Sequence, residues 1–231
     1  MASDVSDKPR DRILREAIRL YSLQGIQAVG VNRIIADADV APTTLYRQFT
    51  SKDRLVAAAL ERWSADWLGR LRDQLARCGD DLQARLDGLW SALSDWFASE
   101  GFRGSFVANA AAELRGRPDH PAHEVIAAHR AAMRQMLEDL VEPARARDPA
   151  ALAEQLLVLV DGAAAIAAVD RQPEVAARAH RLAMALLTFG ARAGPATPAH
   201  GAAFCSARAG SAARVTVAAR TAALTPPHHR P

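Results

Sequence analysis

The side chains best suited to chemistry lie in one short stretch, VNRIIADADVAPTTLYRQFTSK, from Val31 to Lys52. Its spacing predicts two short helices, about 31–38 and 42–48, joined by the turn Asp39-Val40-Ala41. Ile34, Ile35 and Ala38 share one face of the first helix, and Val40, Leu45 and Phe49 carry the apolar set into the second. Burying these leaves Thr43, Thr44, Tyr46, Arg47 and Gln48 facing outward, with no acid among them. A short cationic helix propped on another is what the major groove of DNA admits. The stretch reads as a helix-turn-helix.

Other reactive groups lack such an arrangement. His120, His123, Glu124 and His129 suggest a metal, but there is no HExxH, no paired ExxH and no Cys-His zinc spacing. Ser105 has no nucleophile elbow around it, and Cys78 and Cys205 form neither a metal nor a redox motif. The His228-His229 pair reads as incidental. An enzyme on a helical scaffold is therefore the rival class, without a catalytic residue, metal or cofactor to assign. A helix-turn-helix that binds protein is a third class, which leaves the cationic face unexplained.

Half of the 231 residues are hydrophobic, aromatics are 5%, and Ala is abundant. No long run alternates β-branched with polar residues, so the expected class is all-α. The formal net charge of +3 is misleading, because Arg208, Arg214, Arg220 and Arg230 sit in an acid-free tail and the remainder is slightly negative. Only local charge placement argues for nucleic acid. The polar start to Asp11 carries no secretory signal, and no apolar run is expected to span a bilayer. The expected location is cytoplasmic, with no membrane partner.

The elements that must position the motif follow from periodicity. A polar arm (1–6) precedes a helix capped by Ser6 or Asp7, with Pro9 in its first turn and Ile13, Leu14, Ala17, Ile18 and Tyr21 on its apolar face. Gly25 ends it. Ser51 caps a long helix, roughly 52–76, whose early residues through Trp63 face the preceding unit while Trp67, Leu68, Leu71 and Leu75 lead onward. Further helices are expected at about 81–99, 105–115, 120–141, 149–169 and 173–190, with a Gly-rich break at Gly101–Gly104. The last two are apolar on more than one face, which calls for a partner helix from a second copy. From Gly194 onward large apolar residues nearly vanish and the expectation is disorder. The domains read as 1–51, arm and DNA-binding unit; 52–76, linking helix; 77–193, ligand-binding and dimerisation; and 194–231, tail.

With these residues in place, IIADADVAPTTLYRQFTSKDRL resembles the DNA-binding signature of the TetR family of bacterial transcriptional regulators. The resemblance spans about 9–60, and FRGSFVANAAAEL followed by HPAHEVIAAHR resembles one subgroup of the family, with Ser105 where a cysteine is frequent. Two positions depart: Asp39 replaces the usual turn glycine, and Val31 replaces a frequent threonine. Asp tolerates left-handed backbone, so the turn is expected to survive. The resemblance implies that Asn32, Thr43, Thr44 and Arg47 approach base edges and that Tyr46, Gln48 and Lys52 hold phosphates.

The resulting expectation is a homodimeric repressor of double-stranded DNA, released from a palindrome by a small effector. Expected pocket residues are Trp67, Trp90, Trp96, Phe97, Phe102, Phe106, Asn109, Glu113 and His129, between helices 81–99, 105–115 and 120–141 and the upper linking helix. Each aromatic serves equally well as ordinary core. Few polar groups among them favour an apolar or aromatic effector. The dimer is expected as a four-helix bundle of the last two helices, with Leu159 and Leu186 in the contact.

Overall fold

The computed structural model of the chain describes residues 8–142 and 148–192. Among these residues the fold is all-α, as expected, with nine helices and no strand. They are α1 Pro9–Gln24, α2 Val31–Asp37, α3 Pro42–Gln48, α4 Lys52–Arg77, α5 Leu82–Ala98, α6 Phe106–Glu113, α7 Ala122–Val141, α8 Pro149–Asp170 and α9 Val175–Arg192. The polar arm, the proposed Ser6 or Asp7 cap and the tail lie outside the described residues. Lys8 stands at the α1 N-cap without a side-chain bond, so Pro9 starts the helix by its fixed φ.

Short polar residues set most of the later starts. Ser51 accepts from the Arg54 amide at 3.2 Å, Asp81 from Ala84 at 2.8 Å, Ser105 from Ala108 at 3.3 Å and Asp148 from Ala151 at 2.9 Å. Each satisfies one of the amides that a helix start leaves unpaired. The bond at Ser105 gives that residue a structural role that a catalytic reading does not need.

The buried side chains fall into two clusters. One joins α1, α2, α3 and the first turns of α4 through Ile13, Leu20, Ile34, Leu45, Phe49, Leu55 and Leu60, and it also takes Phe106, Val107 and Ala110 from α6 and Leu114 just after it. The other joins the second half of α4 to α5, α7, α8 and α9 around Leu71, Leu86, Leu93, Leu137 and Leu156. Trp63 packs against both clusters. A fully buried Leu or Ile is worth roughly 1.5–3 kcal/mol, so each cluster is a real core. α6 belongs with the first core although 45 residues of other structure precede it after Leu60.

α8 corrects the expectation about membrane-length segments, because its 22 residues are long and apolar enough by length and composition. One side of it instead supplies Leu152, Leu156, Leu157, Val160 and Ala164 to the second core. Two of its acids, Glu154 and Asp161, pair with Arg134 and Arg130 of α7. The apolar character is that of a core helix with a second uncovered face. Leu159 and Leu186, the residues expected at a contact with a second copy, are half-buried against their own core.

Candidate nucleic-acid interface and cavity

The turn between α2 and α3 is built around Asp39, whose φ of 50° is left-handed. An Asp side chain carries that conformation at less cost than most residues do. The backbone closes with Ala38 N donating to Ile34 O at 2.9 Å and Val40 N to Ile35 O at 3.3 Å. From α1, the Arg12 guanidinium donates to the Asp39 carbonyl at 3.1 Å. The first helix thereby fixes the angle at which α3 is held.

α3 then buries Leu45, with Phe49 just beyond it, and leaves Thr43, Tyr46, Arg47 and Gln48 exposed, Tyr46 at 54%. Thr44 is half-buried, and Asn32 is exposed at the start of α2. Neighbouring cations are engaged elsewhere: Arg33 pairs with Asp37 at 2.8 Å, Arg19 with Glu16 and Asp37, and Arg10 lies over the Phe49 ring at 5.2 Å. Lys52 is less free than the sequence suggested. It is half-buried, its ammonium donates to the Ile26 carbonyl at 2.7 Å, and burial lowers its pKa. An ammonium has three donors, so two remain for another acceptor.

The polar seam behind this unit belongs to α6 and the loop that follows it. Glu113 accepts from the Gln27 amide at 3.0 Å, just after the turn made by Gly25 at φ 86°. The positive φ favours glycine at this position, and a Cβ there would also crowd the Glu113 carboxylate at 3.1 Å. Arg117 donates both terminal nitrogens to Asp53 on α4, and His120 approaches the same carboxylate at 3.4 Å. The Arg117 bond holds the Asp53 pKa below its usual range, while burial lowers that of His120.

A cavity of about 790 Å³ opens between α4, α5, α6, α7 and α8. Of the residues expected there, Trp67, Trp96, Asn109 and His129 line it. Trp90, Phe97, Phe102, Phe106 and Glu113 do not. Trp90 is six residues before Trp96 on α5, a rotation of about 240° around the helix, so it points into the core instead. Phe97 is buried behind Trp96 at 5.6 Å between ring centres, and Phe102 closes on both rings from outside the cavity. Phe106 faces the first core, edge-on to Trp63 at 6.0 Å, and Glu113 is committed to Gln27.

Sequence reasoning missed Trp63, Met133 and the α8 wall of Leu157, Val160 and Ala164. Trp63 was readable, because it precedes Trp67 by four residues and so shares its face. Their rings stack at 6.3 Å, and Trp96 lies 4.4 Å from Trp67. The deepest polar group is His129, whose Nδ1 lies 2.7 Å from the Ser64 hydroxyl of α4. Burial pushes the imidazole pKa down to about 4, with Arg130 adding to the effect, so the ring is neutral near pH 7.

A model of the bacterial regulatory proteins of the tetR family matches residues 13–59, which are α1 to the start of α4. The solved structure of a TetR-family transcriptional regulator from Streptomyces coelicolor superposes with a TM-score of 0.70 at 30% identity, covering 79% of this chain and 96% of that one. The chain belongs to the TetR family. It is a DNA-binding transcriptional regulator with a helix-turn-helix. The chain is also similar to the HTH-type transcriptional regulator YjdC of Escherichia coli, 27% identical over 184 residues that cover 78% of this chain and 94% of YjdC. Over 62 residues, 27% of this chain and 29% of the relative, it is 40% identical to the HTH-type transcriptional repressor KstR of Rhodococcus jostii. These relatives are regulators, which agrees with the regulatory rather than the enzymatic reading of the sequence.

Proposed function

We propose that this TetR-family protein is a homodimeric repressor, released from a palindromic operator by a small apolar or aromatic effector. The observation that carries the reading is the cavity walled by α4 and α6, because both helices also pack into the core that holds α3. A molecule that prefers a shifted position of either helix would act on the recognition unit. It shifts DNA affinity only by its differential affinity for the two arrangements. In this reading residues 1–51 bind DNA, 52–76 link, and 77–193 hold effector and partner, with α6 reaching back into the first core.

On the operator, Asn32, Thr43, Thr44 and Arg47 would meet base edges, with Arg47 suited to guanine and Asn32 to adenine. Tyr46, Gln48 and Lys52 would hold phosphates. For the dimer, α8 and α9 expose Val169 at 81%, Val158 at 69%, Leu182 at 56% and Ile166 at 43%. Large apolar side chains grouped on one pair of helices are what an interface covers. Two copies would present recognition helices ~34–36 Å apart, one turn of DNA.

The test is selection of preferred duplexes from a random pool by the purified protein in the cytoplasm-like salt of a gel shift. Palindromic half-sites one turn apart support the reading, and recovery without any sequence preference refutes operator recognition. Ile166→Glu combined with Leu182→Glu should give monomers by light scattering and lose palindrome binding. An intact dimer would place the interface elsewhere.

A further inference from the structure

The charges around the cavity select among effectors, an inference that rests on reading the cavity as the effector site. Three charged side chains line it: Arg115, Arg130 and Asp161. Arg130 and Asp161 pair with each other across α7 and α8. Arg115 has no hydrogen-bond or ion-pair partner among the described residues, and no unpaired acid lines the cavity. Trp63, Trp67 and Trp96 supply a wall of indole faces and edges.

We propose that the cavity takes a planar aromatic carboxylate, its ring against the indoles and its carboxylate on Arg115. A guanidinium meets a carboxylate with two parallel hydrogen bonds, the strongest neutralisation a single side chain offers. One unpaired cation suits a monoanion and leaves a phosphate dianion undercompensated. Indole faces also attract cations. An organic cation here would nevertheless meet Arg115 without any free carboxylate to neutralise it, and Arg70 already lies over the Trp67 ring at 5.9 Å. His129, tied to Ser64 through Nδ1, supplies hydrogen bonding at the wall without adding charge.

The experiment uses three probes of one shape: naphthoate, naphthol and the trimethylammonium derivative of naphthalene. Calorimetric titration of the full-length protein should rank naphthoate tightest and the cation at least about threefold weaker, because Arg115 is exposed at the cavity rim and its charge is partly screened. Arg115→Gln should weaken naphthoate by about three- to fivefold, as an exposed ion pair allows, and leave naphthol unchanged. Trp96→Ala should weaken all three by a similar factor. Cation binding as tight as naphthoate, or naphthoate unmoved by Arg115→Gln, overturns the charge selection while the cavity reading stands. Failure of all three probes to bind overturns both. Naphthoate that binds without releasing the selected operator supports the ligand class and refutes the effector role.

Discussion

The Ser64–His129 pair ties α4 to α7 in a buried setting and makes stability depend on pH in a defined window. In the unfolded chain the imidazole titrates near 6.5, whereas in the folded chain burial lowers that to about 4. Between these values the unfolded state holds more protons, so acidification favours unfolding. The stabilisation is complete above the unfolded value and is lost as pH falls through the folded one. Each pH unit inside the window costs about 1.4 kcal/mol, and the whole window roughly 2–3 kcal/mol. His120, also lowered by burial, adds in the same direction. Asp53, held below its ordinary value by Arg117, acts only at lower pH and leaves this window clear.

The perturbation is the double change Ser64→Ala with His129→Leu, which removes both polar groups and keeps the volume close. Near neutral pH it should alter stability by less than about 1 kcal/mol, because replacing both partners of a buried hydrogen bond is nearly neutral. His129→Leu alone strands the Ser64 hydroxyl and should cost about 1–3 kcal/mol. Urea unfolding followed by circular dichroism, at one protein concentration and from about pH 7.5 to 4.5, reads the slope. The double variant should lose about 1 kcal/mol per pH unit less than wild type across the acidic half. Identical slopes in the two proteins would show that His129 takes up its proton without penalty and would refute the buried, neutral ring.

Three further outcomes test other parts of the structure. Asp39→Gly, at φ 50°, should hold or raise stability, while Asp39→Val should lower it by about 1–2 kcal/mol in the same urea assay. Gly88→Ala places a methyl 2.5 Å from the Cys78 sulfur and should cost roughly 1–3 kcal/mol, most of it recovered by adding Cys78→Ala. Lys52→Ala should flatten the salt dependence of duplex binding by about 0.9 in slope, whereas Arg47→Ala should relax preference at one base pair by about 1–3 kcal/mol in competition gel shifts.

The helix-turn-helix was legible because its information is local. Leu45 and Phe49 can be buried only if Tyr46, Arg47 and Gln48 are out, and Asp39 marks the one turn residue that must leave right-handed backbone. Helix ends were legible to a residue or two where Ser51, Asp81 or Asp148 caps them. The cavity was only half legible. Trp67 of α4 and Trp96 of α5 were legible at it, but another wall is α8, whose apolar residues surround the helix and give no phase to say which ones face inward. Asn109 and Glu113 sit four apart on α6, a spacing that places both of these expected pocket residues on one face. The loop after α1 draws Glu113 away, a contact across 86 residues that no periodicity encodes.

α6 shows why the cavity and the recognition unit are joined in the proposed switch. The helix has only eight residues, so its two faces cannot move independently. Ala108, Asn109, Ala111 and Ala112 border the cavity, while Phe106, Ala110 and Leu114 are buried among α1 and α4 side chains, and Val107 touches both. Its C-terminal end carries Glu113 to Gln27 and leads through Arg117 to Asp53, one residue after Lys52. Both polar ties are therefore at the base of the helix-turn-helix, not in its core. A close-packed apolar core resists displacement, whereas exposed ion pairs are worth little and yield readily. An occupant that presses on the alanine face of α6 would meet least resistance along this polar seam. In the proposed switch the recognition unit would turn about α4 together with the α6 side chains that share its core, with the α3 geometry fixed by Arg12 and Asp39 left intact.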